Sequence, residues 1–227
     1  MRFFWLRQRW LALSLSLLGA VAALLPVHGT AATARLTQVS AETGIILVLG
    51  DSLSAEYGLK RGSGWVALLE QQLQTRKLAF AVVNASISGE TTAGGRSRLP
   101  ALLAQHRPSH VIVELGANDA LRGLPLQRTQ DNLNTMTKAA QKAGAKVLLV
   151  GMQVPPNYGR DLAVRFAALF VDVAQANKVA LVPFLLSGVA DVPESTALFQ
   201  RDRIHPREEA QPIMLANVWP ELKKLLQ

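Results

Sequence analysis

The sequence has 227 residues, 49% hydrophobic and 18% charged, enough apolar side chain to bury a core and unlike a disordered or fibrous composition. Three of the 24 Lys and Arg and none of the 16 acids fall in the first 34 residues; the remaining surplus of five is scattered, which argues against nucleic acid and supports at most transient membrane-surface contact and mild steering of anionic substrates. Cysteine is absent, excluding disulfides, thiolate metal sites, a cysteine nucleophile and a lipid anchor on an N-terminal Cys.

In chain order, the first element is an export signal. Basic Arg2, Arg7 and Arg9 precede an apolar stretch over 11–25, then Pro26 and the small-residue exit Ala32-Thr33-Ala34. The stretch is shorter than the roughly 20 residues a membrane-spanning helix needs. A removed signal over 1–34 is therefore expected, with the mature chain, 35–227, forming one domain that is periplasmic or secreted.

From Ile45 onward, short β-branched runs alternate with longer helical patterns. Strands are expected at 45–49, 81–84, 111–115, 147–150 and 180–182, and helices at 64–74, 94–105, 126–143, 159–177 and 207–226. Pro100 inside the second helix predicts a kink or a late start. In the fourth, Leu162, Phe166, Phe170 and Val173 share one face. Strands that are apolar throughout and alternate with helices predict an α/β protein, a three-layer α/β/α arrangement with a five-stranded, mostly parallel sheet of flavodoxin-like type.

Ligands in such sheets bind beyond the carboxyl ends of the strands, so those loops carry the functional candidates. The first strand runs into Gly50-Asp51-Ser52-Leu53-Ser54, a tight turn that presents Ser52 as a nucleophile or, read alone, supplies Asp51 or Ser52 as a helix cap. The second ends at Gly89, either a turn glycine or a backbone N–H open to close approach by a ligand. The third ends in Gly116-Ala117-Asn118-Asp119, where the Asn118 amide is a neutral donor suited to an oxyanion and Asp119 can hold the loop. Near the C-terminus, Asp202-Arg203-Ile204-His205 places a carboxylate three residues ahead of an imidazole, spacing that permits an acid–base pair. His106 and His110 flank Pro108 at the amino end of the third strand, away from these loops, and lack partners for a metal. Together the four segments supply a nucleophile, neutral donors and an acid–base pair. A phosphate loop at 58–64 lacks the required order of Gly, Lys and Ser, and Ser54 stands where a G-x-S-x-G elbow needs glycine.

The ordered blocks resemble the SGNH, or GDSL-type, hydrolases, and the stretches 84–89, 113–123 and 155–159 look like the exported bacterial group with thioesterase, arylesterase and lysophospholipase activity. That resemblance implies Ser52 as nucleophile, His205 as base and Asp202 as its orienting acid, with an oxyanion hole of the Ser52 and Gly89 N–H groups and the Asn118 side chain. It implies a serine esterase acting on acyl esters and thioesters through an acyl-enzyme, as a monomer without metal or cofactor. Arg203 departs from the glycine usual at its place in close relatives. Aliphatic side chains near the site, Leu53, Leu121, Met152 and Pro155, are expected to contact an acyl substrate. A carbohydrate O-acetyl esterase and a noncatalytic binding module stay open as alternatives.

Overall fold

The computed structural model describes residues 44–227 apart from Pro155 and Glu194. The expected signal at 1–34 lies outside the described residues.

Five strands, β1 (Gly44–Gly50), β2 (Phe80–Asn84), β3 (His110–Glu114), β4 (Lys146–Val150) and β5 (Ala180–Val182), form one sheet in the order β2-β1-β3-β4-β5. Every pairing is parallel, so the sheet is parallel throughout where a mostly parallel one was expected. Strands buried on both faces read as continuous apolar runs, and Ile46 to Leu49 in β1 are fully buried.

The crossovers are helical: α1 (Trp65–Thr75), α2 (Thr92–His106), α4 (Leu126–Lys142) and α5 (Arg160–Asn177), with α6 (Gln211–Leu225) closing the fold. A further one-turn helix, α3 (Ala117–Leu121), follows β3; its five residues are too short for a periodic pattern to reveal. Helices α1 and α6 pack together on one face of the sheet, and α2, α4 and α5 on the other. Helix α2 continues through Pro100 rather than starting late. It begins at Thr92 because the Thr91 hydroxyl accepts the Gly94 N–H at 3.3 Å, the local satisfaction an N-terminal turn requires. The predicted face of α5 packs inward, with Phe166 and Phe170 meeting edge to face at 5.3 Å.

His110 opens β3 at the amino edge of the sheet. Its ring nitrogens contact the Ser109 hydroxyl and the Leu225 carbonyl, both at 3.0 Å, and burial lowers its pKa. It ties the C-terminal helix to the sheet, far from the strand-end loops.

Chain direction reverses between β1 and β3. The chain leaves β1 toward β2 on one side, whereas it leaves β3 toward β4 on the other, so the loops beyond Gly50 and Glu114 diverge and open a crevice. Ser52 and Asn118 flank it.

Candidate active site

Beyond β1 the backbone folds at once into a helical turn, with the Ala55 N–H donating to the Asp51 carbonyl at 2.9 Å. The Asp51 side chain accepts the Leu53 N–H at 3.0 Å. Asp51 thus takes the capping part, which leaves the Ser52 hydroxyl uncommitted to the backbone.

His205 Nε2 lies 2.9 Å from Ser52 Oγ, and Nδ1 lies 2.7 Å from Asp202 Oδ2. With its proton on Nδ1 the imidazole donates to the carboxylate and accepts the serine hydroxyl. The other Asp202 oxygen accepts the N–H groups of Ile204 at 2.9 Å and His205 at 3.0 Å. Burial alone would raise the Asp202 carboxyl, but these hydrogen bonds from His205 and Ile204 outweigh it and hold the pKa at about 2. The carboxylate stays charged opposite the ring it orients. On the other side of the imidazole, the Tyr57 ring lies 4.3 Å from it, centroid to centroid.

The second loop is closed by the Glu90 N–H donating to the Ile87 carbonyl at 3.0 Å. Gly89 takes φ +76° within that turn, a conformation glycine adopts without strain. Among the described residues, neither the Ser52 nor the Gly89 N–H has a protein acceptor. Asn118 sits in α3 and donates from Nδ2 to Asp51 Oδ2 at 3.0 Å. Behind it Asp119 is buried and accepts the Thr92 N–H at 2.8 Å and the Thr129 hydroxyl at 3.3 Å, fastening the loop to α2 and α4.

Sequence reasoning missed three neighbours of this group. Tyr57 falls between the first expected strand and helix and outside every motif, and Arg122, which donates to the Gly89 carbonyl at 2.8 Å, likewise belongs to none. Glu114, the last residue of β3, is fully buried; a charged residue ending an otherwise apolar strand was the available signal. Burial pushes the Asp51 pKa up to about 6, and burial followed by the Asp51 charge pushes Glu114 well above the usual carboxylate range.

Of the side chains expected to contact substrate, Leu53 and Met152 are buried in the core and Leu121 is exposed. Pro155 lies outside the described residues. Tyr57, Ile87, Leu121, Leu124, Tyr158 and Ile204 are exposed apolar side chains on the segments that follow the strands and on the loop carrying the imidazole.

A family model described as the GDSL-like Lipase/Acylhydrolase family matches residues 48–212. Esterase TesA of Pseudomonas aeruginosa is 50% identical over 200 residues, 88% of this chain and 98% of that protein. The Escherichia coli K12 protein named thioesterase 1/protease 1/lysophospholipase L1 is 40% identical over 191 residues, 84% of this chain and 89% of that one. A crystal structure of TesA superposes with a TM-score of 0.77 at 51% identity, covering 80% of this chain and 99% of that chain.

Proposed function

Since the chain belongs to the GDSL-like lipase/acylhydrolase family and is an ester hydrolase, we propose that Ser52, His205 and Asp202 carry out the hydrolysis through an acyl-enzyme. Ser52 Oγ attacks the acyl carbonyl while its proton passes to His205 Nε2. The tetrahedral oxyanion is met by the N–H groups of Ser52 and Gly89 and by the Asn118 amide. The C–O or C–S bond then breaks, and the leaving alcohol or thiol takes the proton from His205. Water, deprotonated by the same imidazole, attacks the ester on Ser52; the bond to Ser52 Oγ breaks, His205 returns the proton to that oxygen, and the carboxylic acid leaves. No step calls for a redox or electrophilic cofactor.

The observation that carries this reading is the unbroken line of contacts from Ser52 Oγ through the imidazole to Asp202, 2.9 and 2.7 Å long. A noncatalytic module has no need of that alignment.

The substrates we infer are acyl esters and thioesters, including aryl esters, acyl-CoA and lysophospholipids. Exposed Leu121 and Leu124, close to Asn118 in sequence, offer an aliphatic tail a surface. The names of the relatives favour these acyl groups over acetylated sugars. The basic and apolar order of residues 1–34 supports export to the periplasm or beyond, and the reading is of a monomer.

A fluorophosphonate ester tests the assignment. It labels the native chain at Ser52, and Ser52→Ala abolishes both labelling and hydrolysis in a folded protein. Continued labelling of the variant would overturn the role of Ser52.

A further inference from the structure

The steps above leave the departing half of the substrate without a place in the fold. Its oxygen or sulfur must come within hydrogen-bond reach of His205 Nε2 to take the proton, so the departing group lies beside the imidazole. A groove of about 990 Å³ begins there. Tyr57 and Asp202 line it, and both contact the ring, Tyr57 at 4.3 Å between centroids and Asp202 at 2.7 Å. Leu121 and Leu124, assigned above to the acyl tail, take no part in its walls.

The walls come from two segments, 57–59 and 199–209, and are fastened to each other. The Gln200 side-chain amide donates to the Tyr57 carbonyl at 2.8 Å, and the Lys60 N–H donates to Glu208 Oε1 at 3.0 Å. A Cβ on Gly58 would lie 2.2 Å from Gln200 Oε1, so the glycine lets the amide close that seam. A groove held open in this way needs little ordering to receive a ligand.

Its charges divide unequally between committed and free. Asp202 is taken up by His205 and the Ile204 N–H, and Glu208 by the Lys60 N–H. Glu209 Oε2 lies 3.6 Å from Arg207 Nε, beyond hydrogen-bond length, which leaves the terminal nitrogens of Arg207 available. Arg201, also in the wall, has no carboxylate partner among the described residues. The uncommitted charge of the groove is therefore positive, and the guanidinium fork matches the oxygens of a phosphate.

Resting on the assignment of Ser52 and His205 given above, we propose that this groove is the leaving-group site and that Arg201 and Arg207 hold the phosphate of the alcohol or thiol released from the acyl group. The preferred substrates then carry phosphate on the departing half, with the acyl half read elsewhere.

Two substrate pairs test this in the full chain. Each has one acyl group and differs in phosphate on the leaving group: octanoyl-CoA against the octanoyl thioester of N-acetylcysteamine, and octanoyl-glycerol phosphate against octanoyl-glycerol. The readout is the ratio of kcat/KM within a pair. Damage to the neighbouring Asp202–His205 contact lowers both members and leaves the ratio alone, so the ratio reports recognition of phosphate. Arg201→Gln with Arg207→Gln lowers it by roughly 10-fold, and added salt lowers the native ratio toward that of the variant. The single variant Arg201→Gln, exposed and without a side-chain partner, moves it in the same direction should the double variant not fold. A fall in the thioester pair alone assigns the groove to nucleotide-linked thiols, and a fall in the glycerol pair alone to phosphorylated alcohols. Ratios that stay native in both pairs would overturn the proposal. Fluorophosphonate labelling separates the levels: an unlabelled native chain sinks the Ser52 reading, whereas labelling with unmoved ratios sinks only the leaving-group site.

Discussion

Ser52 and His205 are 153 positions apart and meet at 2.9 Å, with Asn118 contributing from a third loop. Asn118 is half-buried and already carries one hydrogen bond, to Asp51, so little ordering remains to be done when charge develops on a substrate oxygen. Preorganised donors of that kind supply much of the rate. Asn118→Ala should reduce kcat by about 10² to 10³ while the protein stays folded; steady-state hydrolysis of an aryl ester measures it, and near-native turnover would remove Asn118 from the oxyanion hole. The residue types were readable because each has a short chemical repertoire: a serine, an imidazole with a carboxylate three positions before it, and an amide. Glu114 escaped notice because its importance comes from burial against Gly50, a contact across the sheet that no local pattern encodes.

At the scale of the element, the loop from Gln200 to Pro206 shows how backbone geometry delivers a side chain. The Gln200 N–H donates to the His205 carbonyl at 2.8 Å, the Arg203 N–H to the Gln200 carbonyl at 2.9 Å, and Phe199 bridges Pro206. Closing so tight a loop puts Arg203 at φ +58°, left-handed backbone in which a Cβ is unfavourable by about 1 kcal/mol. A glycine at this position would carry no such penalty. Arg203→Gly should preserve kcat and stay within about 1 kcal/mol of the native stability, because relief of strain is offset by a freer unfolded chain. Arg203→Val, branched at Cβ, should lose 1 kcal/mol or more, roughly. Urea unfolding of the two variants decides the matter; equal stabilities would mean the loop does not hold that conformation in solution.

Over the whole molecule, the reversal between β1 and β3 places the Ser52 turn against the loop bearing Asn118 and buries carboxyls between them. Asp51 ionises near pH 6 in the fold against 3.8 in the solvent-exposed unfolded chain, so the unfolded state releases its proton first. The stability associated with neutral Asp51 is fully present below the lower value and is lost as pH rises through the higher one. Asp51→Asn removes this loss. Relative to the native chain, the variant should gain roughly 2 to 3 kcal/mol between about pH 4 and about pH 7.5. Denaturant titrations at the two pH values measure the difference, and a constant offset would show that Asp51 does not titrate in that window.

Local pattern was sufficient for the alternation of strands and helices and for the residue types that meet at the candidate site, because apolar periodicity and loop chemistry act over a few neighbouring residues. Strand order, the contact of Asp51 with Asn118, the burial of Glu114 and the 2.9 Å approach of imidazole to hydroxyl were decided only by the tertiary structure. These depend on which strand ends lie side by side and how much water is excluded between them, and both follow from packing the sheet as a whole.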